Sequence, residues 1–284
     1  SGGAPVIFSG ALLKRGVFAL CSQDAQARLG EGAMARVGKR SVFGVAALAI
    51  GLGVAPSDAS LDAGAAYDLS IAGIPIGDAR LAVTTGEGRY RIEGSADFGF
   101  LFWGGEGVAV SEGRAAEGGF DPEFYRLSYQ GVTRPGAIEI AFAEGHAKEW
   151  RRVPEIPDRY REGRVPLSET DLRAVLDPLS ALVIPAPASI PGAALCARVL
   201  PVFTGYTRFD LEFDGAAALD GDVVECSVRY RPVAGHRPDS GSVERFSKPG
   251  AFAVRLAPIA DGVWGPDLVA VEPRFGTLRL TRRR

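Results

Sequence analysis

Three carboxylates that alternate with apolar residues form the first pattern in the sequence that could do chemistry. They are Asp210, Glu212 and Asp214. In a strand they would project from one face, and such a row of acids could bind calcium. However, Arg229 and Arg231 occupy the polar face of the predicted hairpin partner. Cross-strand ion pairs on a wetted surface explain the same acids, so we expect ion pairs, with no metal and no cofactor.

The two histidines are the other candidates for catalysis. His146 and His236 each follow a glycine in a turn-like context. A Ser-His-Asp triad could use either one, but the sequence has no Gly-x-Ser-x-Gly elbow to support it. Zinc, phosphate-loop and dinucleotide motifs are also absent from the sequence. We therefore predict no catalytic residues and keep a secreted hydrolase of unknown substrate as an alternative.

An aromatic segment supplies the candidate binding residues. In a strand, Phe98, Phe100 and Phe102 would share one face, and Leu101 and Trp103 would occupy the other. One interpretation is a strand buried on both sides. The other is the apolar wall of a cleft that accepts a lipid chain or a hydrophobic peptide.

Composition excludes several classes of protein. With 46% hydrophobic and 23% charged residues, the chain is too apolar to be disordered. Its 32 basic and 34 acidic residues are too evenly balanced for binding driven by phosphate charge, so we expect no nucleic-acid partner. The 37 glycines and 19 prolines indicate many turns between short strands.

The N-terminal region predicts export. Residues 34–40 carry three positive charges and run into an apolar stretch at 41–54, which at about 14 residues is shorter than the ~20 that span a bilayer. Ser57 and Ala59 then suit a signal peptidase that cleaves before Ser60. We expect a non-native or untranslated extension at 1–33, a signal peptide at 34–59 and a single periplasmic domain at 60–284.

The predicted mature chain contains two cysteines, Cys196 and Cys226. An even number in an oxidising compartment favours a disulfide, and two separate buried thiols are the alternative. Six basic and three acidic residues precede Ser60, which leaves the mature chain a net charge of about −5. That acidity also argues against a nucleic-acid partner.

Period-two alternation predicts a mainly β fold. It runs through 65–150 and again through 197–281, interrupted by glycine-rich turns. Between them, 167–183 contains Ser168 with Asp171, which resembles a capping box, and Asp177 before a proline, which predicts a second helix start. We expect a strongly curved antiparallel sheet, an open or half barrel, wrapped around one or two short helices. A two-sheet β-sandwich is the alternative.

Several short motifs occur in a recognisable order. They are Tyr67 with Gly73-Ile74-Pro75-Ile76-Gly77, Asp177-Pro178-Leu179-Ser180, Cys196 followed by Val199-Leu200-Pro201-Val202-Phe203 and Gly205, and Cys226 followed by Tyr230 and Gly235. In this order the chain resembles the bacterial domain-of-unknown-function family 3108 over nearly all of its predicted mature length. The resemblance implies an exported cell-envelope protein with a curved β architecture and no established activity. Thr204-Gly205-Tyr206 departs from the family pattern, where Asp-Gly-Arg is more usual.

Together these features predict a periplasmic, non-enzymatic protein. We expect its concave sheet to bind an amphiphile or an extended polypeptide and so to support envelope integrity or trafficking. A lipid, a hydrophobic peptide or an envelope protein would be the partner. A purely structural docking module, recognised by an exposed sheet edge, is the remaining alternative.

Overall fold

A computed structural model describes residues 61–100, 103–116, 118–131, 134–157, 161–187, 189–218, 222–273 and 276–284. Within them the strands are β1 (Leu61–Ile71), β2 (Ile74–Gly86), β3 (Arg89–Phe100), β4 (Trp103–Ala116), β5 (Gly119–Gly131), β6 (Pro135–Ala143), β7 (His146–Val153), β8 (Ile184–Pro185), β9 (Arg198–Phe203), β10 (Arg208–Ala218), β11 (Val224–Ala234), β12 (Phe252–Ala260), β13 (Val263–Val271) and β14 (Leu278–Arg282). Two short helices are α1 (Gly192–Cys196) and α2 (Gly241–Phe246). Across these ranges, every helix is too short or too polar to span a bilayer.

The strands form one antiparallel sheet. Its path runs from β7 back through β1, crosses to β14 and continues down to β9, while β8 pairs with β13. The pairing of β1 with β14 joins the first and last described strands in the middle of the sheet, and the sheet forms a nearly closed barrel with an unsealed seam. The predicted curved sheet is therefore confirmed, and one continuous sheet takes the place of the alternative sandwich.

Tight turns make the long hairpins possible. Ala72-Gly73, Glu87-Gly88 and Glu144-Gly145 each connect two strands, and both residues of every pair have positive φ. Two-residue turns of this kind match the right-handed twist of the flanking strands. Glycine in the second position adopts that conformation without steric cost.

The inner face of the sheet carries the core, and the chain between β7 and β9 fills part of it. We call residues 170–183 the plug. Two 3-10 turns, Thr170–Leu172 and Ser180–Leu182, stand where the sequence predicts two short helices. Apolar plug residues pack with wall residues of β1 to β7, and the contacting set is Leu172, Val175, Leu179, Val183, Val83, Tyr90, Ile92, Phe120, Ile140 and Phe142.

The plug fills one end of the barrel. We call the end where β1, β3, β5 and β7 begin the lower end, and the opposite end the upper end. Tyr90, Phe120 and Phe142 lie near the lower strand ends, so the plug closes the lower interior. The expectation that the sheet wraps around residues 167–183 is thus confirmed. The segment forms two 3-10 turns instead of two α-helices, and Arg173 and Leu176 between the turns bridge to β7 and β9.

The seam lies between β7 and β9. Arg173 forms a bridge with His146 of β7, and Leu176 forms one with Val202 of β9. The Leu176 amide donates to the Pro201 carbonyl at 2.7 Å, and the Phe203 amide donates to the Leu176 carbonyl at 2.9 Å. The plug therefore connects the two end strands of the sheet.

The two edges also overlap. Trp150 pairs with Ile140, which places it on the inner face of β7, and its ring centroid lies 5.3 Å from that of Phe203. Phe203 points away from the inner face of β9, which carries Val202. A Cβ on Gly205 would lie only 2.7 Å from Cγ2 of Ile138. The outer side of β9 and its turn therefore lies against the inner side of β6 and β7.

Candidate functional site

Four aromatic rings form a group on the inner face at the upper end. We call Phe209, Tyr230, Phe246 and Phe252 the aromatic group. Tyr230 lies 4.9 Å from Phe209 and 6.3 Å from Phe252 between ring centroids, and Phe246 lies 5.6 Å from Phe252. All four rings are only partly buried. A cluster of partly exposed aromatic rings is a surface suited to apolar ligands.

Three neighbouring strands and one helix position the aromatic group. Phe209, Tyr230 and Phe252 come from β10, β11 and β12, and each occupies an inner-face position near the upper end of its strand. Phe246 ends α2, a helix without a fully buried residue. Burial raises the pKa of Tyr230 to about 12, so its phenol is neutral at physiological pH.

The aromatic segment predicted from the sequence also reaches the upper end. Phe98 occupies an inner-face position of β3 opposite Gly105, and its ring would lie 3.4 Å from a Cβ placed on that glycine. Phe98 is partly buried and packs against a core cluster that contains Leu69, Ile71 and Leu278.

One expectation for this segment is wrong. It is not a single strand, because β3 ends at Phe100, which pairs with Trp103 at the start of β4. Leu101 and Phe102 lie outside the described residues, as do the side chains of Phe100 and Trp103. The structure therefore places Phe98 and leaves the binding role of all five residues a prediction.

A buried polar network fastens the plug to the barrel wall. The Asp177 carboxylate accepts hydrogen bonds from Ser111 Oγ at 2.7 Å and Ser180 Oγ at 2.5 Å, and from the amides of Leu179 and Ser180 at 2.8 and 3.0 Å. Tyr90 Oη lies 3.0 Å from both serine hydroxyls. The predicted cap at Asp177 is confirmed, and the same side chain also links the plug to β4.

Burial dominates the electrostatics of this network. Loss of solvent raises the pKa of Asp177, and the hydrogen bonds from Ser180, Ser111 and the backbone counter that shift only in part. Burial also raises the pKa of Tyr90, with the Asp177 charge adding to it. Because every member is enclosed, the network can hold the plug in place but offers no accessible catalytic group.

Two of the three carboxylates of β10 form ion pairs as predicted, one of them away from a wetted surface, whereas Asp214 forms none in the described part of the chain. Arg231 pairs with both Asp210 and Glu212. Asp210 is only 2% exposed, and Arg208, which is 8% exposed, pairs with it at 2.5 Å. Arg208 also donates to the Asp171 carbonyl at 2.9 Å. Local sequence does not show that Asp210 is buried, because the segments that cover the polar face of β10 are the plug and the overlapping strands at the seam.

A disulfide joins Cys196 and Cys226, as predicted. The bond connects the end of α1 to the inner face of β11. Both cysteines are fully buried in an apolar cluster with Leu195, Phe213 and Val254. The disulfide therefore stabilises the half of the barrel that carries the aromatic group.

The histidines lie far apart in the fold. His146 begins β7 at the lower end, and its Nδ1 lies 2.5 Å from the Glu144 carbonyl of the same turn. His236 follows β11 at the upper end, and partial burial lowers its pKa. In the described part of the chain, no hydroxyl or carboxylate bonds to either ring, and no three His, Cys, Asp or Glu residues converge on a metal position.

A shallow groove crosses β1 to β4 away from the aromatic group. It has a volume of about 550 Å³, and its charged lining residues are Arg80 and Glu93. Glycine, alanine and serine supply most of its lining. It therefore offers little apolar surface to an acyl chain, which makes the aromatic group the better candidate.

Comparison with known families identifies one family. The family model described as "Protein of unknown function (DUF3108)" matches residues 66–264, which is most of the chain. The chain belongs to the DUF3108 family. Searches of curated proteins and of solved structures found no match.

The residues that carry the DUF3108 resemblance have structural roles here. Asp177 and Ser180 anchor the plug, and the cysteine pair braces β11. At the departure from the family pattern, Thr204 Oγ1 accepts from the Thr207 amide at 3.0 Å, and the Arg164 guanidinium lies 4.6 Å from the centre of the Tyr206 ring. Threonine and tyrosine thus form a turn that needs no Asp-Arg pair.

Sequence reasoning did not identify the aromatic group as a unit. The alternation of Phe209 with polar residues marks an apolar strand face, and Tyr230 and Phe252 show a similar pattern. No local pattern shows that these faces adjoin at one end of the barrel. Strand order and register decide that, together with the position of α2.

Proposed function

We propose that this protein is an exported, non-enzymatic protein. It binds the apolar part of an amphiphile at the upper end of its barrel. In this role it supports integrity or trafficking in the cell envelope. The single observation that carries the proposal is the partly exposed aromatic group on the inner face of β10 to β12. Phe98 adds a further aromatic ring at the same end.

The packed lower interior of the barrel supports binding of the ligand at the upper end. The plug and α1 occupy the lower interior, where side chains such as Val83, Ile92 and Leu195 are inaccessible to solvent. An apolar ligand therefore has its best surface at the upper end, where burying an aromatic side chain contributes about 1.5–3 kcal/mol. The disulfide favours an oxidising compartment, which supports export.

Binding can be tested with the uncharged fluorescent probe 1-N-phenylnaphthylamine. We expect the purified protein to raise the emission of the probe saturably. Phe246→Asp should weaken binding at least tenfold, because it places a charge among the rings of Tyr230 and Phe252. Since α2 has no fully buried residue, this variant should remain folded.

Phe124→Asp is the matched control. Phe124 is 37% exposed on the outer face of β5, so the same substitution there should leave probe binding unchanged. A wild-type protein that does not bind the probe would refute the proposal. Equal binding by a folded Phe246→Asp variant would show that the aromatic group is not the site.

A further inference from the structure

The outer edge of β7 is open along most of its length. β6 occupies one side of the strand, and in the described part of the chain the other side has a single bridge, from His146 to Arg173. Trp150 is 42% exposed and Val153 is 47% exposed on this edge. An open edge with exposed apolar side chains can accept a further strand through its backbone amides and carbonyls.

The edge is basic, although the predicted mature chain is acidic. Lys148, Arg151 and Arg152 lie on β7 itself with a single acid, Glu149, and Arg173 lies across the seam. Arg151 is 70% exposed and shares Glu139 with Arg126. Lys148 and Arg173 form no ion pair within the described ranges. This excess of positive charge favours an acidic occupant.

We propose that the edge of β7 accepts an extended acidic segment of a partner protein as an added strand. Backbone hydrogen bonds to residues 150–153 would supply affinity, and acidic side chains opposite the arginines would supply selectivity. This site is separate from the aromatic group, so it stands independently of amphiphile binding.

Charge pairing disfavours a second copy of this chain as the occupant. The antiparallel register that places Glu149 opposite Arg151 of a second copy also places Lys148 opposite Arg152. A shift of one residue along each strand places Arg151 opposite itself. Like charges in opposed positions destabilise a sheet. The register shift near Ala141 adds a bulge in this edge, a feature that protects sheets from self-association.

The test uses three capped eight-residue peptides with the purified full chain. One alternates valine and glutamate, the second alternates valine and lysine, and the third is the glutamate peptide with N-methylated valines. We expect only the first to bind, measured by fluorescence anisotropy, and to slow amide hydrogen exchange at residues 149–153. Its binding should weaken at least tenfold in Arg151→Glu.

Arg126→Glu is the control, because Arg126 also pairs with Glu139 but lies on β5, inside the sheet. It should change binding less than threefold. Absence of binding, equal binding of the lysine or N-methylated peptide, or unchanged exchange in β7 would overturn the proposal. So would a wild-type dimer in native mass spectrometry that Arg151→Glu dissociates, since the occupant would then be a second copy.

Discussion

Ser111 Oγ of β4 donates a hydrogen bond of 2.7 Å to Asp177 Oδ2 of the plug, 66 residues later in the chain. Both side chains are inaccessible to solvent. The bond holds the plug against the barrel wall and satisfies a carboxylate that has no cation partner within the described structure.

Ser111→Ala should lower the free energy of unfolding by about 1–3 kcal/mol, because it removes one donor from a buried carboxylate. Urea unfolding at pH 7 measures the change. Ser128→Ala on β5, a partly buried position on the outer face, is the control and should have little effect. Equal losses in the two variants would contradict a special role for the buried network.

The titration of Asp177 predicts a dependence of stability on pH. Burial raises the pKa of Asp177, so the folded state binds this proton more tightly than the unfolded state does. Its contribution to stability is therefore present below the unfolded pKa of about 3.9 and is lost as pH rises through the raised folded pKa. Relative to Asp177→Asn, the wild type should lose stability between these two values. Urea unfolding of both proteins from pH 4 upward measures this, and a constant difference would refute it.

Asp210→Ala should destabilise the protein by about 3–5 kcal/mol, because it leaves the buried Arg208 guanidinium without its carboxylate. Asp214→Ala, at an exposed position on the same strand, should be nearly neutral. Thermal and urea unfolding of the two variants give the comparison. If both were neutral, Asp210 would lie on a wetted surface, as the sequence alone predicts.

Gly205→Ala tests the overlap of the sheet edges. The added methyl group would lie 2.7 Å from Ile138 Cγ2, whereas one added at Gly145 meets nothing within 4 Å. Both glycines have a φ near +70°, so the backbone strain is similar in the two variants. Gly205→Ala should therefore cost about 1–3 kcal/mol more than Gly145→Ala in urea unfolding. Ile138→Ala should remove that excess in a double-mutant cycle.

The Cys196–Cys226 disulfide should contribute about 3–4 kcal/mol, since it closes a loop with a sequence separation of 30 residues. Replacing both cysteines by alanine and comparing urea midpoints under oxidising conditions measures this. A reductant should destabilise the wild type and leave the double variant unchanged. Destabilisation of both proteins by the reductant would show that the effect is not the disulfide.

Much of the strand content could be predicted from alternation, because a strand with one buried face must place apolar side chains at every second position. The cap at Asp177 was predictable from residue type and local spacing, and the disulfide from the count of two cysteines in the predicted mature chain. The short helices α1 and α2 were not predicted. With five and six residues, neither shows a helical period.

The sequence by itself thus determined the antiparallel β class and most of the alternating strands, and it predicted the pairing of Cys196 with Cys226. Only the tertiary structure decided which faces meet. Alternation shows that Asp210 lies on a polar face, but not that the overlap of β9 and the plug covers that face. It likewise shows that Tyr230 and Phe252 lie on apolar faces, but not that they meet α2 at an open end. The physical reason is that periodicity reports the direction of a side chain, whereas burial depends on chain segments that are distant in sequence and brought together by strand order and register.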